Sequence, residues 1–158
     1  MPMLATTLAA AKVLMNDCRH PWCIFGGTLA ALRGLRDDEV ADVDVLLHID
    51  DARRLCAREG IVQSHDGGNG RFRSEIFVRL VGHPLPIEVM AGLAVSHGGE
   101  WRSVAFPEIE TITWQGLTLP VPTLAGMVAL HSALGRPKDL ALVARVVAQL
   151  EPQPGVTR

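Results

Sequence analysis

The chain has 158 residues, 48% of them hydrophobic and 20% charged, which suits one folded domain with a sizeable core and excludes a disordered chain. A formal net charge of −2 supplies no basic stripe for neutralising a long run of phosphates, so charge favours small substrates over long nucleic acids. Three cysteines (Cys18, Cys23 and Cys56) fall short of a disulfide framework and fit a reduced, cytoplasmic setting.

Residues 3–17 are alanine-rich and put Leu4, Leu8, Ala11 and Met15 on one face, which predicts a helix. No basic residue precedes this stretch, so it is a poor signal peptide. The Cys18–Cys23 segment lacks a fourth ligand at zinc-like spacing and reads as a turn into a strand over 22–25. A short helix from Thr28 to Arg33 follows, closed by Gly34, then a charged loop over 35–41. The second strand is predicted over Val40–His48, and Asp50 or Asp51 caps a helix that Gly60 stops. A short strand over 61–64 leads to a glycine cluster at 66–70, read as a hairpin turn.

Residues 72–81 and 85–91 alternate well enough for two strands, whereas 92–110 show no clear period. A small hairpin turns at Gln115-Gly116; Thr123 then caps a helix to Leu134, and Pro137 opens another to Leu150. The uncharged run Thr111–Gly135 is broken by Gly116, Pro120, Pro122 and Gly126, which argues against a membrane span. The tail from Glu151 is expected to fray. These elements predict an α+β (mixed α/β) domain with a mixed sheet flanked by helices, a core over 1–121 and a short helical pair over 122–158. That pair is too short to stand alone. It packs back on the sheet or pairs with another subunit, which leaves a homo-oligomer open.

Chemistry concentrates at two places. Gly26-Gly27 stands at a strand-to-helix junction, where glycines let backbone N–H groups approach phosphate oxygens. Asp42-Val43-Asp44-Val45 follows, with both aspartates on one strand face and both valines on the other. Two carboxylates about 7 Å apart along a strand repel one another unless a cation sits between them. An oxygen-only ligand set with room for water and phosphate suits Mg²⁺, with Mn²⁺ as the alternative. Thr28 is placed to meet phosphate or to cap its helix. Arg33 and Arg36 are candidates for neutralising triphosphate charge, and Arg71 and Arg73 share one strand face.

The order apolar-Gly-Gly, helix, then Asp-x-Asp on a strand resembles the polymerase-β-like nucleotidyltransferase superfamily. The likeness is strongest to its small bacterial branch of lincosamide, aminoglycoside and toxin-type nucleotidyltransferases. It implies a third carboxylate on a later strand, and Glu88 within Leu85–Met90 is the candidate. Gly135-Arg136-Pro137-Lys138-Asp139 is similar to an Arg-x-Lys-Asp segment opening a late helix in these proteins, which makes Lys138 a nucleotide-binding candidate. Ala41 stands where Ser or Thr often precedes the first aspartate, and His131 where Lys is common.

The resemblance implies a catalytic and metal-binding set of Asp42, Asp44 and Glu88, with Gly26, Gly27, Thr28, Arg36 and Lys138 on the nucleotide. The reaction implied moves a nucleoside monophosphate from a nucleoside triphosphate to a hydroxyl of a small molecule or protein. A catalytically silent binding module, such as a toxin–antitoxin partner, is the alternative.

Overall fold

Two neighbouring strands, β2 (Val43–Leu46) and β5 (Ile87–His97), form the one parallel pair in the main sheet among the described residues. The computed structural model describes residues 2–36, 38–62, 64–66 and 71–151. The expected turn at Gly67–Gly70 and the tail from residue 152 lie outside them.

On one side of this pair lies β1 (Cys23–Phe25), antiparallel to β2. On the other lie β4 (Phe72–Leu80) and β3 (Ser64–Asp66), also antiparallel. Beyond Gly98-Gly99 the chain returns as β6 (Glu100–Ser103) along the far half of β5. A separate hairpin, β7 (Ile109–Trp114) and β8 (Leu117–Pro122), turns at Gln115-Gly116 and packs beside β1. The sheet is mixed, as the sequence predicts.

Helix α1 (Pro2–Leu14) buries Leu4, Leu8 and Ala11, and Met15 continues that face in a 3₁₀ turn. Helix α2 (Gly26–Leu32) follows β1 directly, and α3 (Ile49–Glu59) follows β2 and ends at Gly60. Helix α4 (Leu124–Leu134) starts at Thr123, whose hydroxyl accepts the Gly126 N–H. Helix α5 (Pro137–Leu150) begins at Pro137, where a missing N–H costs no helical bond. Met127, Leu130 and Leu134 of α4 and Val146 of α5 join the same hydrophobic core as the sheet. None of the helices among the described residues is long and apolar enough to cross a membrane.

Three expectations are corrected. The second strand covers 43–46 rather than 40–48, because its parallel partner begins only after Pro86, whose carbonyl accepts the Val43 N–H. The third strand is Ser64–Asp66 and not 61–64. The cap of α3 is His48, whose ring nitrogen accepts the Asp50 N–H, rather than Asp50 or Asp51.

Asp51 has another use. It is 3% exposed, and its carboxylate accepts the backbone N–H groups of Arg19 and His20 at 2.9 Å each, with Arg54 beside it. Burial alone would raise its pKa, but these donors hold it below the usual carboxylate range. The loop entering β1 is thereby pinned to the first turn of α3. Asp51→Ala leaves two backbone donors without their partner and should cost roughly 2–3 kcal/mol, read as a lowered urea midpoint with an unchanged slope.

Candidate functional site

Val43 and Val45 point into the core at 0% exposure, so the alternating residue Asp44 must face the other side of the sheet. In the parallel register Asp44 lies opposite Glu88 of β5. Asp42 stands one residue before β2, where its backbone carbonyl accepts the Thr28 hydroxyl at 2.8 Å. Side-chain oxygens of Asp42, Asp44 and Glu88 all come within 4.8 Å of one another. All three are half-buried.

The electrostatics of this group are unbalanced. Burial, then the charges of Asp42 and Glu88, push the Asp44 carboxyl up to about 7, with Lys138 and Arg136 pulling the other way. Burial and Asp42 also raise Glu88, against the pull of Arg79, whose guanidinium donates to Glu88 at 2.5 Å. A divalent cation would relieve this repulsion. An oxygen-only donor set partly open to the cleft fits a hard ion such as Mg²⁺ or Mn²⁺.

The glycine pair is shaped to this group. Gly26 has φ +67°, and a Cβ there would run into the Asp44 carboxylate. A Cβ at Gly27 would collide with Nη1 of Arg36. The start of α2 therefore lies against both side chains. Arg36 donates through Nε to Asp38 at 2.8 Å and through Nη2 to Asp38 and the Glu39 carbonyl, which leaves Nη1 beside Gly27.

The late helices close the far side of the cleft. Asp139 is buried and accepts the Arg136 backbone N–H at 3.2 Å, two guanidinium donors of Arg136 at 2.5 and 3.1 Å, and pairs with Nδ1 of His131 at 2.8 Å. Burial would raise the Asp139 carboxyl, yet His131 and Arg136 hold it far below its ordinary value. The Arg136 guanidinium also lies over the Phe72 ring, 4.8 Å from its centroid. Among the described residues Lys138 has no ion pair, and its charge acts on Asp44 across the cleft.

One cleft of about 700 Å³ thus gathers Asp42, Asp44, Glu88, Gly26, Gly27, Arg36 and Lys138. Thr28 differs from expectation. It is fully buried, and its hydroxyl serves the Asp42 carbonyl, so it positions Asp42 instead of reaching the cleft. Arg33 turns away to Glu110 and the Pro122 carbonyl. Arg73 lines the cleft and lies over the Trp101 ring at 4.3 Å. Arg79 was not legible as a site residue, because only the β4–β5 register sets it opposite Glu88.

A structure from Thermotoga maritima, TM1012, described as a "putative nucleotidyltransferase", superposes over 94% of both chains with a TM-score of 0.69 at 17% identity. The lincosamide antibiotic adenylyltransferase LnuA, solved with lincomycin bound, matches 89% of this chain and 94% of its own, with a TM-score of 0.54 at 10% identity. At such identities the likeness establishes a nucleotidyltransferase-like fold. No protein-family model and no curated protein sequence matches the chain.

The crowded carboxylates make a stability prediction. Asp44 has a folded pKa near 7, above about 3.9 for an unfolded aspartate, so its contribution is most favourable below pH 4 and is lost as pH rises through 7. Without divalent metal, Asp44→Asn should be more stable than the parent at pH 8, by on the order of 2 kcal/mol, and close to it at pH 4. Adding Mg²⁺ at pH 8 should raise the melting temperature of the parent and leave that of the variant nearly unchanged. Thermal melts at the two pH values check both statements.

Proposed function

We propose that this protein is a metal-dependent nucleotidyltransferase that moves a nucleoside monophosphate from a nucleoside triphosphate to a hydroxyl of a small-molecule or protein acceptor. The observation that carries the reading is the convergence of three carboxylates, a strand-to-helix glycine pair and an unpaired lysine on one cleft within this fold. Asp42, Asp44 and Glu88 would hold Mg²⁺ or Mn²⁺. Bound there, the ion lowers the pKa of an acceptor hydroxyl and offsets the charge of departing pyrophosphate.

The other roles follow from the side chains. Lys138, Nη1 of Arg36 and the guanidinium of Arg136 offer positive charge to the triphosphate, and the backbone at Gly26-Gly27 can approach it without a side chain in between. Arg136 is held in place by Asp139 and Phe72, so little freedom is lost when phosphate binds. Phe72, Phe77, Met90 and Leu93 give the base or the acceptor an apolar wall. In the transfer, an acceptor oxygen forms a bond to the α-phosphorus and the α–β phosphoanhydride bond breaks, releasing pyrophosphate. LnuA, whose structure contains lincomycin, is a member of this fold with a small molecule bound, which supports a small acceptor for the present chain.

Incubation with each labelled nucleoside triphosphate and Mg²⁺, against small-molecule, protein and tRNA acceptors, tests the proposal. Pyrophosphate release with label on one acceptor class is expected, and Asp42→Ala or Asp44→Ala should abolish it. Tight nucleotide binding with no pyrophosphate from any acceptor would instead make the chain a silent binding module. Lys138→Ala should weaken triphosphate binding on the order of tenfold, about 1.4 kcal/mol, and flatten its salt dependence, as titration calorimetry at two ionic strengths would show.

A further inference from the structure

We infer that His20, His48 and Asp50 form a second metal site, for a borderline first-row divalent ion of the Zn²⁺ class. It lies at the opposite end of β2 from the three carboxylates. Asp42 precedes the first residue of β2 and His48 follows its last. The antiparallel β1 begins at Cys23 opposite Leu46, which brings His20 to the same end as His48.

One ligand atom from each of the three side chains lies within 4.8 Å of the other two. Bonds of about 2.0–2.1 Å in a tetrahedral shell separate ligand atoms by about 3.3 Å, so the three side chains must draw together to close on an ion. Nδ1 of His48 accepts the Asp50 N–H at 3.2 Å and lies 3.8 Å from Oδ2 of Asp50, which leaves Nε2 as the His48 nitrogen for the ion. The two imidazoles are stacked, with ring centroids 4.0 Å apart and planes 23° from parallel. The His20 ring must therefore swing out of the stack, with His48 held at its cap, before both can direct a nitrogen at one ion. His20 is exposed, so that rotation does not disturb the core.

The ligands hang on a rigid support. Asp51, buried in the first turn of α3, holds the His20 backbone N–H at 2.9 Å, and the neighbouring Asp50 N–H is bonded to His48. The loop ligand, the cap ligand and the helical ligand thus hang on one backbone frame. Arg53 lies 3.8 Å from Oδ1 of Asp50 and leaves Oδ2 to the ion.

Donor chemistry sets the ion class. Two imidazole nitrogens and one carboxylate suit Zn²⁺, Ni²⁺ or Cu²⁺, whereas Mg²⁺ prefers the all-oxygen group at the other end of β2. Exposure leaves water to complete the shell. The ion would tie the loop before β1 to the start of α3 and stabilise the fold by mass action.

The test uses the full chain carrying Asp42→Asn and Asp44→Asn, so that the carboxylate group cannot take up the metal. Calorimetric titration should show one Zn²⁺ per chain in the micromolar range, with a raised melting temperature. Adding His20→Gln or His48→Asn should weaken binding at least about tenfold, and asparagine at position 48 can still cap α3. Co²⁺ in place of Zn²⁺ should give a spectrum without a thiolate charge-transfer band, which excludes the nearby Cys18. Absence of saturable binding, binding unchanged by either histidine substitution, or a thiolate band would each overturn the inference.

Discussion

Three carboxylates that repel one another, two on a pair of parallel strands and one just before them, are the constraint around which this structure is arranged. Asp44 and Glu88 face each other because β2 and β5 are in register, and Val43, Val45, Ile87 and Val89 are buried on the alternate side. The core therefore dictates where the acidic side chains go. Burial of these apolar residues fixes the register, since a slip by one residue would turn valines to the cleft and aspartates into the core. Asp42, just outside the ladder, is secured by the Thr28 hydroxyl instead. Stability and a crowded, only partly offset group of carboxylates are thus produced by the same strand pairing. Such conflict between local cost and global fold is characteristic of functional sites.

The opposite wall solves a different problem, which is to keep positive charge ready without letting it collapse onto the carboxylates. Asp139 does this for Arg136, engaging two of its guanidinium donors and its backbone N–H while His131 shares the same carboxylate. Arg36 is held similarly by Asp38 and Glu39 on the near wall. Lys138, on an exposed turn of α5, has no ion pair among the described residues. It is one of two lysines in a chain whose other basic side chains are arginines. In the function proposed, a flexible stem and a compact charge would let it follow a moving phosphate, whereas the arginines offer fixed geometry.

Much of this was legible in the sequence, and the reasons are local. The period-two pattern at 42–45 put both aspartates on one face, and Thr123, Gly60 and Pro137 marked helix ends through chemistry that needs no tertiary context. The segment 92–110 was opaque because β5 runs on through Gly92, Ala94, Ser96 and His97, residues with little strand signature, and is supported there by pairing with β4 and β6. The end of β2 was overestimated because apolar flanks at Val40 and Leu47 are buried without lying in the strand. Thr28 on Asp42 and Asp51 on the His20 loop are long-range pairings that follow only from topology, and Arg79 on Glu88 follows only from the β4–β5 register.

The most direct test of the account is a crystal structure with Mn²⁺ and a non-hydrolysable nucleoside triphosphate, with anomalous scattering to locate the metal. The account predicts manganese bound by Asp42 and Asp44, with Glu88 facing the same ion and the triphosphate running past Gly26-Gly27 towards Lys138. Manganese found elsewhere, with the three carboxylates still crowded together and no phosphate in the cleft, would contradict it.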